Sequence, residues 1–173
     1  LKEIARSEEG RGVLSMMLQF SLSYLDHPYG VPDILSPSTG EILVEPDDYT
    51  CLVSDGKLLA KERELVNIIS KELSEGRNCV VYAEFTGSAE TCVTHRLKEI
   101  IERECGLKEH EVTILEASSP AAAKREEWMH EKAKKGTRVF ITNPRCVETG
   151  LDFCWSADGI IYNYPTLIFY QMG

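Results

Sequence analysis

The sequence predicts an α/β fold: a central, mainly parallel sheet covered on both faces, behind a small helical and irregular amino-terminal extension. Three observations carry that expectation. Segments with helical spacing alternate with short apolar runs in the order helix, strand, helix, strand, helix, strand, which implies right-handed crossovers and parallel pairing. The apolar runs Asn78-Cys-Val-Val-Tyr82, Val112-Thr-Ile-Leu115 and Val139-Phe-Ile141 have the character of strands buried on both faces. The last of them runs into a polar loop, and open α/β sheets place their ligands at the carboxyl ends of their strands.

Taken in order, residues 10–26 carry Val13, Met16, Met17, Phe20 and Tyr24 at roughly helical spacing, ended by Asp26-His27-Pro28. His27 reads as a capping or turn residue. From Gly30 to Asp55 the chain is loop-like, punctuated by Pro32, Pro37 and Pro46, with Ser38-Thr-Gly40 as a turn and Glu41–Val44 as a short strand. Residues 1–54 therefore form the extension, and 55–173 the α/β domain. Leu58, Leu65, Ile69 and Leu73 share one face of a helix that Gly76 ends as a carboxyl cap. A second helix, about 88–105, buries Val93, Leu97, Ile100 and Ile101. Ser118 or Ser119 before Pro120 is expected to cap a third, which carries Lys124, Arg125 and Trp128 to about Lys135. Gly159–Tyr162 and Thr166–Tyr170 are two further candidate strands.

Composition is that of a soluble globular chain, and no apolar run approaches the roughly 20 residues needed to cross a bilayer. The net charge of −9 argues against a self-sufficient nucleic-acid binder, because phosphate neutralisation drives that affinity. One basic cluster, Lys132, Lys134, Lys135 and Arg138, reads as a solvated helix face. The six cysteines (51, 79, 92, 105, 146, 154) show no C-x-x-C pair and no metal-like spacing with the four histidines. Cys79, Cys92 and Cys146 read as small buried hydrophobes in a reduced, intracellular chain, with no structural zinc. There is no initiator Met, and the chain stops at Gln171-Met-Gly173, so a piece of a longer protein is expected.

The densest chemistry lies in Arg138-Val-Phe-Ile-Thr142-Asn-Pro-Arg145-Cys-Val-Glu-Thr149-Gly-Leu-Asp152-Phe153. The strand breaks at Asn143-Pro144, since proline removes a donor and biases its predecessor away from the helix. Thr142, ending a buried strand, is expected at the sheet's carboxyl edge. The chain has no G-x-x-x-x-G-K-[ST] loop, no G-x-G-x-x-G after a strand and no G-x-S-x-G elbow, which argues against a complete nucleotide hydrolase or a serine hydrolase.

Taken together, the strand-loop sequences resemble the second, carboxy-terminal RecA-like lobe of superfamily 2 helicases, and the Swi/Snf-type DNA translocases most closely. Asp55-Gly-Lys57-Leu-Leu59 with its following helix, and then Gly76–Thr86, are similar to the lead-in helix and motif IV; Leu115–Ser118 followed by Lys124-Arg125 is similar to the next strand and helix start. Thr142-Asn-Pro-Arg145 with Thr149-Gly-Leu-Asp152 resembles motif V. The resemblance covers residues 55–171 well and the first 54 loosely. It implies a three-layer RecA-like domain that contributes to an ATP cleft and a nucleic-acid track shared with an amino-terminal lobe of the same parent chain. It implies Gly150 and Asp152 facing the nucleotide, with Thr142, Asn143, Arg145 and Thr149 near the nucleic-acid backbone or coupling it to the cleft. Phe85, Thr86 and Ser118 would donate to phosphates, which fixes register without reading sequence. ATP and Mg²⁺ belong to the full-length parent and neither is held tightly by this chain; DNA is the expected track, with RNA open, and no membrane is involved.

Two departures qualify the match. Pro144 and Glu148 stand where the family usually has small or glycine residues. Motif VI, Q-x-x-G-R-x-x-R, is absent or cut: Tyr170-Gln171-Met-Gly173 is compatible with its first letters, but no arginine follows Arg145. The chain alone is therefore expected to be inactive, with no catalytic residue and no metal ligand of its own. The residues also have plainer readings: Asp152 as a turn cap, Gly150 as a backbone requirement, Arg145 paired with Glu148, Phe85 and Trp128 as core. Two other functions fit the same sequence, a degenerate lobe serving as a protein-docking module and a stand-alone α/β small-ligand enzyme.

Overall fold

The computed structural model describes residues 8–26, 28, 33–45, 56–84, 86, 92–118, 120–147 and 150–170. The chain divides into two compact units, Leu1–Lys57 and Leu58–Gly173. The first contains helix α1 (Glu8–Tyr24) and a small antiparallel pair, β1 (Ile34–Leu35) with β2 (Ile42–Val44). Phe20 and Tyr24, four residues apart on α1, stack at 5.6 Å between ring centroids. The extension thus holds the expected helix and short strand, together with a strand partner that two residues are too few to signal.

The second unit is the α/β domain. Helix α2 (Ala60–Ser74), β3 (Cys79–Tyr82), helix α3 (Thr94–Cys105), β4 (Val112–Leu115), helix α4 (Arg125–Lys134) and β5 (Val139–Thr142) alternate along the chain. A hairpin of β6 (Cys154–Ala157) and β7 (Ile160–Asn163) follows, and then β8 (Thr166–Phe169). The central sheet is parallel throughout, in the order β4-β5-β3-β8. Every residue of β3 and β5 is buried, as expected of inner strands covered on both faces.

Alternation along the strands separates two cores. Cys79, Val81, Val139 and Ile141 face α2 and α3, meeting Leu65, Ile69, Leu97 and Ile101. Val80, Tyr82 and Phe140 face the other way, toward Met129 and Ala133 of α4, Tyr164 and the aromatic hairpin. Helices α2 and α3, the sheet, and α4 with the hairpin make three layers. Burial pushes the Cys79 thiol up to about 12, so it behaves as a small hydrophobe. The five described cysteines are free.

Sequence expectations need correcting at four points. Leu58 precedes α2, which starts at Ala60 with the Glu62 carboxylate accepting from the Leu59 backbone N–H. Ser118 caps no helix: its hydroxyl donates to Glu116, and a 3₁₀ turn, Ala122–Lys124, intervenes before α4 begins at Arg125. Lys124 therefore lies outside the α-helix. Gly159 opens no strand; Asp158 and Gly159 have φ of 55° and 78°, the pattern of a two-residue hairpin turn. That turn folds β7 back on β6, apart from the central sheet, while β8 fills the place beside β3. His27, Ser119, residues 87–91 and Gln171 lie outside the described residues.

The basic cluster is not a bare solvated face. Lys132 sits over the Trp128 ring at 5.4 Å, and Lys134 lies 3.7 Å from Asp158. Arg138 donates to Asn78 and to the Leu73 carbonyl, tying the start of β5 to the turn before β3. No helix among the described residues is long and apolar enough to cross a membrane.

Candidate functional site

Parallel strands bring all their carboxyl ends to one edge of the sheet. The loops after β3, β4 and β5 must therefore emerge side by side, with the β5 loop between the other two. Most of the polar residues picked out from sequence sit on these loops.

The β5 loop is the best defined. Asn143 carries extended backbone, and its Oδ1 accepts from the Arg145 N–H at 2.9 Å, opening a 3₁₀ turn over Pro144–Cys146. Proline in the first position of that turn needs no donor, which is why the strand breaks here. Asn143 Nδ2 also donates to the Glu84 carbonyl at 2.7 Å, bridging to the loop after β3. Arg145 is 78% exposed and lies 3.8 Å from Glu84. Glu148, its expected partner, lies outside the described residues along with Thr149 and Phe85.

Thr142 does sit at the carboxyl edge, but it is fully enclosed. Its hydroxyl donates to the Leu115 carbonyl at 3.1 Å, locking the ends of β4 and β5 together. Gly150 has φ +77°, and among the described residues a side chain there would meet nothing within 4 Å, so the glycine answers a backbone need. Asp152 is exposed, and one carboxylate oxygen accepts from the Cys154 N–H at 2.8 Å, the turn-capping role. Its neighbours Leu151 and Phe153 turn inward onto the aromatic core.

Thr86 and Ser118 come together. Both line a cleft of about 480 Å³ beside the end of β4, with Thr94, His95, Leu115 and Glu116. The hydroxyls of Thr86 and Ser118 and the carboxylate of Glu116 give it a polar lining that can hydrogen-bond a small polar group.

Arg125 organises the edge although the sequence offers little to distinguish it. Its guanidinium donates to the Cys146 carbonyl at 2.9 Å, to Ala117 at 3.0 Å and to Pro120 at 3.3 Å, joining the loops after β4 and β5. Its signals in the sequence are its place after a proline-containing loop and the likeness of Lys124-Arg125 to a helicase-lobe helix start, and neither points to its bridging role. Among the described residues no group of three or more His, Cys, Asp or Glu is placed to hold a metal ion.

Comparison with family models, curated proteins and solved structures gives no match. Site geometry and sequence pattern are therefore the grounds for a functional reading.

Proposed function

We propose that residues 58–170 form the second motor lobe of an ATP-dependent superfamily 2 DNA helicase or translocase of the Swi/Snf-like type. The observation that supports this most is convergence. The three loops chosen for their likeness to helicase motifs leave one edge of a parallel three-layer sheet, and two of their hydroxyl residues, Thr86 and Ser118, line one cleft. Gly150, with no described residue crowding it, suits half of a nucleotide cleft, the other half belonging to an amino-terminal lobe. On this reading the metal is held by that other lobe; among the described residues no group of three or more His, Cys, Asp or Glu is placed to hold one. ATP bound between the lobes supplies the free energy for translocation. This chain's part is to position: Arg145, exposed beside Glu84, offers a cation to a nucleic-acid phosphate, and Asn143 and Arg125 hold its loop.

Phosphate release by this chain with DNA, followed with malachite green, should stay at background; turnover that survives repurification overturns the division of labour. In the two-lobe parent, Arg145→Ala should lower DNA-stimulated ATPase about tenfold, the effect of losing one charge-assisted phosphate contact. Unchanged stimulation removes Arg145 from the track. A second reading, a lobe kept as a protein-docking module, is favoured by one observation. Thr142, Asn143 and Asp152 already spend polar groups on the chain's own backbone.

A further inference from the structure

β4 is an edge strand, and its outer side has a definite hydrogen-bonding parity. Glu111 and Leu115 turn their carbonyls toward β5, accepting from the Arg138 N–H and the Thr142 hydroxyl. By alternation Val112 and Ile114 point their backbone groups outward. Lys98 agrees with that parity: its ammonium reaches from α3 to donate to the Val112 carbonyl at 2.7 Å and to Glu109 at 2.8 Å. A lysine laid across an edge is a common guard against strand addition. Here it guards only the amino-terminal half. The next outward pair, the Ile114 N–H and C=O, has no strand beside it among the described residues.

This half-open edge runs along a groove of about 480 Å³. It is lined by His95 and Lys98 from α3, Lys132 from α4 and Lys135 just past its end, with His110 and Thr137. Lys98 is already committed to Val112, Glu109 and Glu102. Lys132, whose ammonium also lies over the Trp128 ring, and Lys135, just past the end of α4, have hydrogen-bond donors to meet a ligand from the side. Glu109 and Glu116 mark the two ends of the groove. A polyanion running its length would meet both carboxylates, whereas a short strand with acidic side chains toward α4 meets the lysines between them. A phosphate backbone also has no donor for the Ile114 carbonyl, while a peptide has one at every second residue.

We propose that the outer edge of β4 docks an extended acidic peptide segment of a partner protein, adding as a fifth strand on the Ile114 backbone with its carboxylates against Lys132 and Lys135. Main-chain pairing supplies the affinity and the lysines select for charge, as in other strand-addition sites. The groove shares His95, Ile114 and Glu116 with the cleft beside the end of β4, yet strand addition does not depend on the loops' reading as a motor.

The test is an amide-resolved NMR titration of the whole chain with the probe acetyl-Glu-Val-Glu-Val-Glu-Val-amide. The Ile114 amide is expected to shift and to exchange more slowly. The same peptide N-methylated at alternate residues keeps its charges and loses strand pairing, and should bind about tenfold more weakly for two lost hydrogen bonds. Lys132→Glu with Lys135→Glu, both at the surface of α4, should weaken the Glu peptide by about tenfold or more and allow a Lys-Val counterpart to bind. Equal binding of the methylated and unmethylated peptides overturns strand addition. Indifference to the charge reversal in a variant with unchanged circular dichroism overturns the acidic specificity. A single-stranded oligonucleotide that shifts Ile114 more tightly than the peptide assigns the groove to nucleic acid instead. A dimer in gel filtration that the peptide fails to dissolve assigns it to a second copy.

Discussion

The two faces of the central sheet are closed by different chemistry. Against α2 and α3 the contacts are aliphatic: Leu65, Ile69, Leu97 and Ile101 on Val81, Val139 and Ile141. The two helices are also joined by a charged contact, Glu62 with Arg96 at 2.5 Å, in which Glu62 is buried. Against α4 the cover is aromatic. Trp155 stacks between His130 at 3.9 Å and Tyr162 at 5.4 Å, Tyr164 lies 5.1 Å from Phe140, and Trp128 lies 6.4 Å from it. Two long helices hold the first face. The second is held by one ten-residue helix and a hairpin that joins no larger sheet among the described residues. The difference assigns the first face to global stability and the second to local order around the loop that enters the hairpin.

That contrast can be broken, starting from the largest effect. Ile69→Ala removes a fully buried side chain from the aliphatic face and should cost about 3 to 4 kcal/mol, read as a lowered urea midpoint. Glu62→Ala takes the buried carboxylate from Arg96 and the cap from α2, and should cost about 3 kcal/mol by the same measurement. A loss under about 1 kcal/mol would show that the pair adds little beyond the other contacts of Arg96. Trp155→Ala should cost about 2 kcal/mol, less than a fully buried tryptophan because the ring stays partly exposed. Its signature is local: amides of Cys154–Asn163 exchange faster while those of β3 and β5 keep their protection. Uniform loss of protection would mean that the faces are one cooperative unit.

A smaller effect is electrostatic. Hydrogen bonds from Arg77, and then from Thr166, hold the Glu72 carboxyl at about 2, below its ordinary 4.5. A value depressed in the folded state contributes stability that is present above about 4.5 and lost as pH falls toward 2. Glu72→Gln should therefore lower the urea midpoint at neutral pH, and the gap to the parent chain should close on acidification. A gap that stays constant would assign the loss to packing. Arg145→Ala is the smallest change, within about 0.5 kcal/mol in stability, as expected for an exposed side chain away from the core.

What the sequence reveals divides along physical lines. Periodicity finds β3, β4 and β5 and the buried residues of α2 and α3, because each has one dominant burial pattern. It misses β6, whose Cys-Trp-Ser-Ala mixes polar and aromatic residues, and it places the start of α4 at Ser118 or Ser119 before Pro120, whereas the helix opens at Arg125. For the site, chain order locates Thr142, Asn143 and Ser118 at the right edge, since parallel topology leaves one place for them. It does not reveal that Thr142 is enclosed, or that Arg125 joins two loops. Those facts depend on contacts between residues 21 and 27 positions apart, which no local pattern encodes.

Both tryptophans of the chain, Trp128 and Trp155, pack on the aromatic face. Intrinsic tryptophan emission is therefore a built-in reporter of that face alone, blind to the aliphatic side. Far-ultraviolet dichroism weighs all the helices. If the faces separate in sequence, the emission transition will precede the dichroic one in a denaturant series, and the lag between the two curves will measure how far the hairpin side opens by itself.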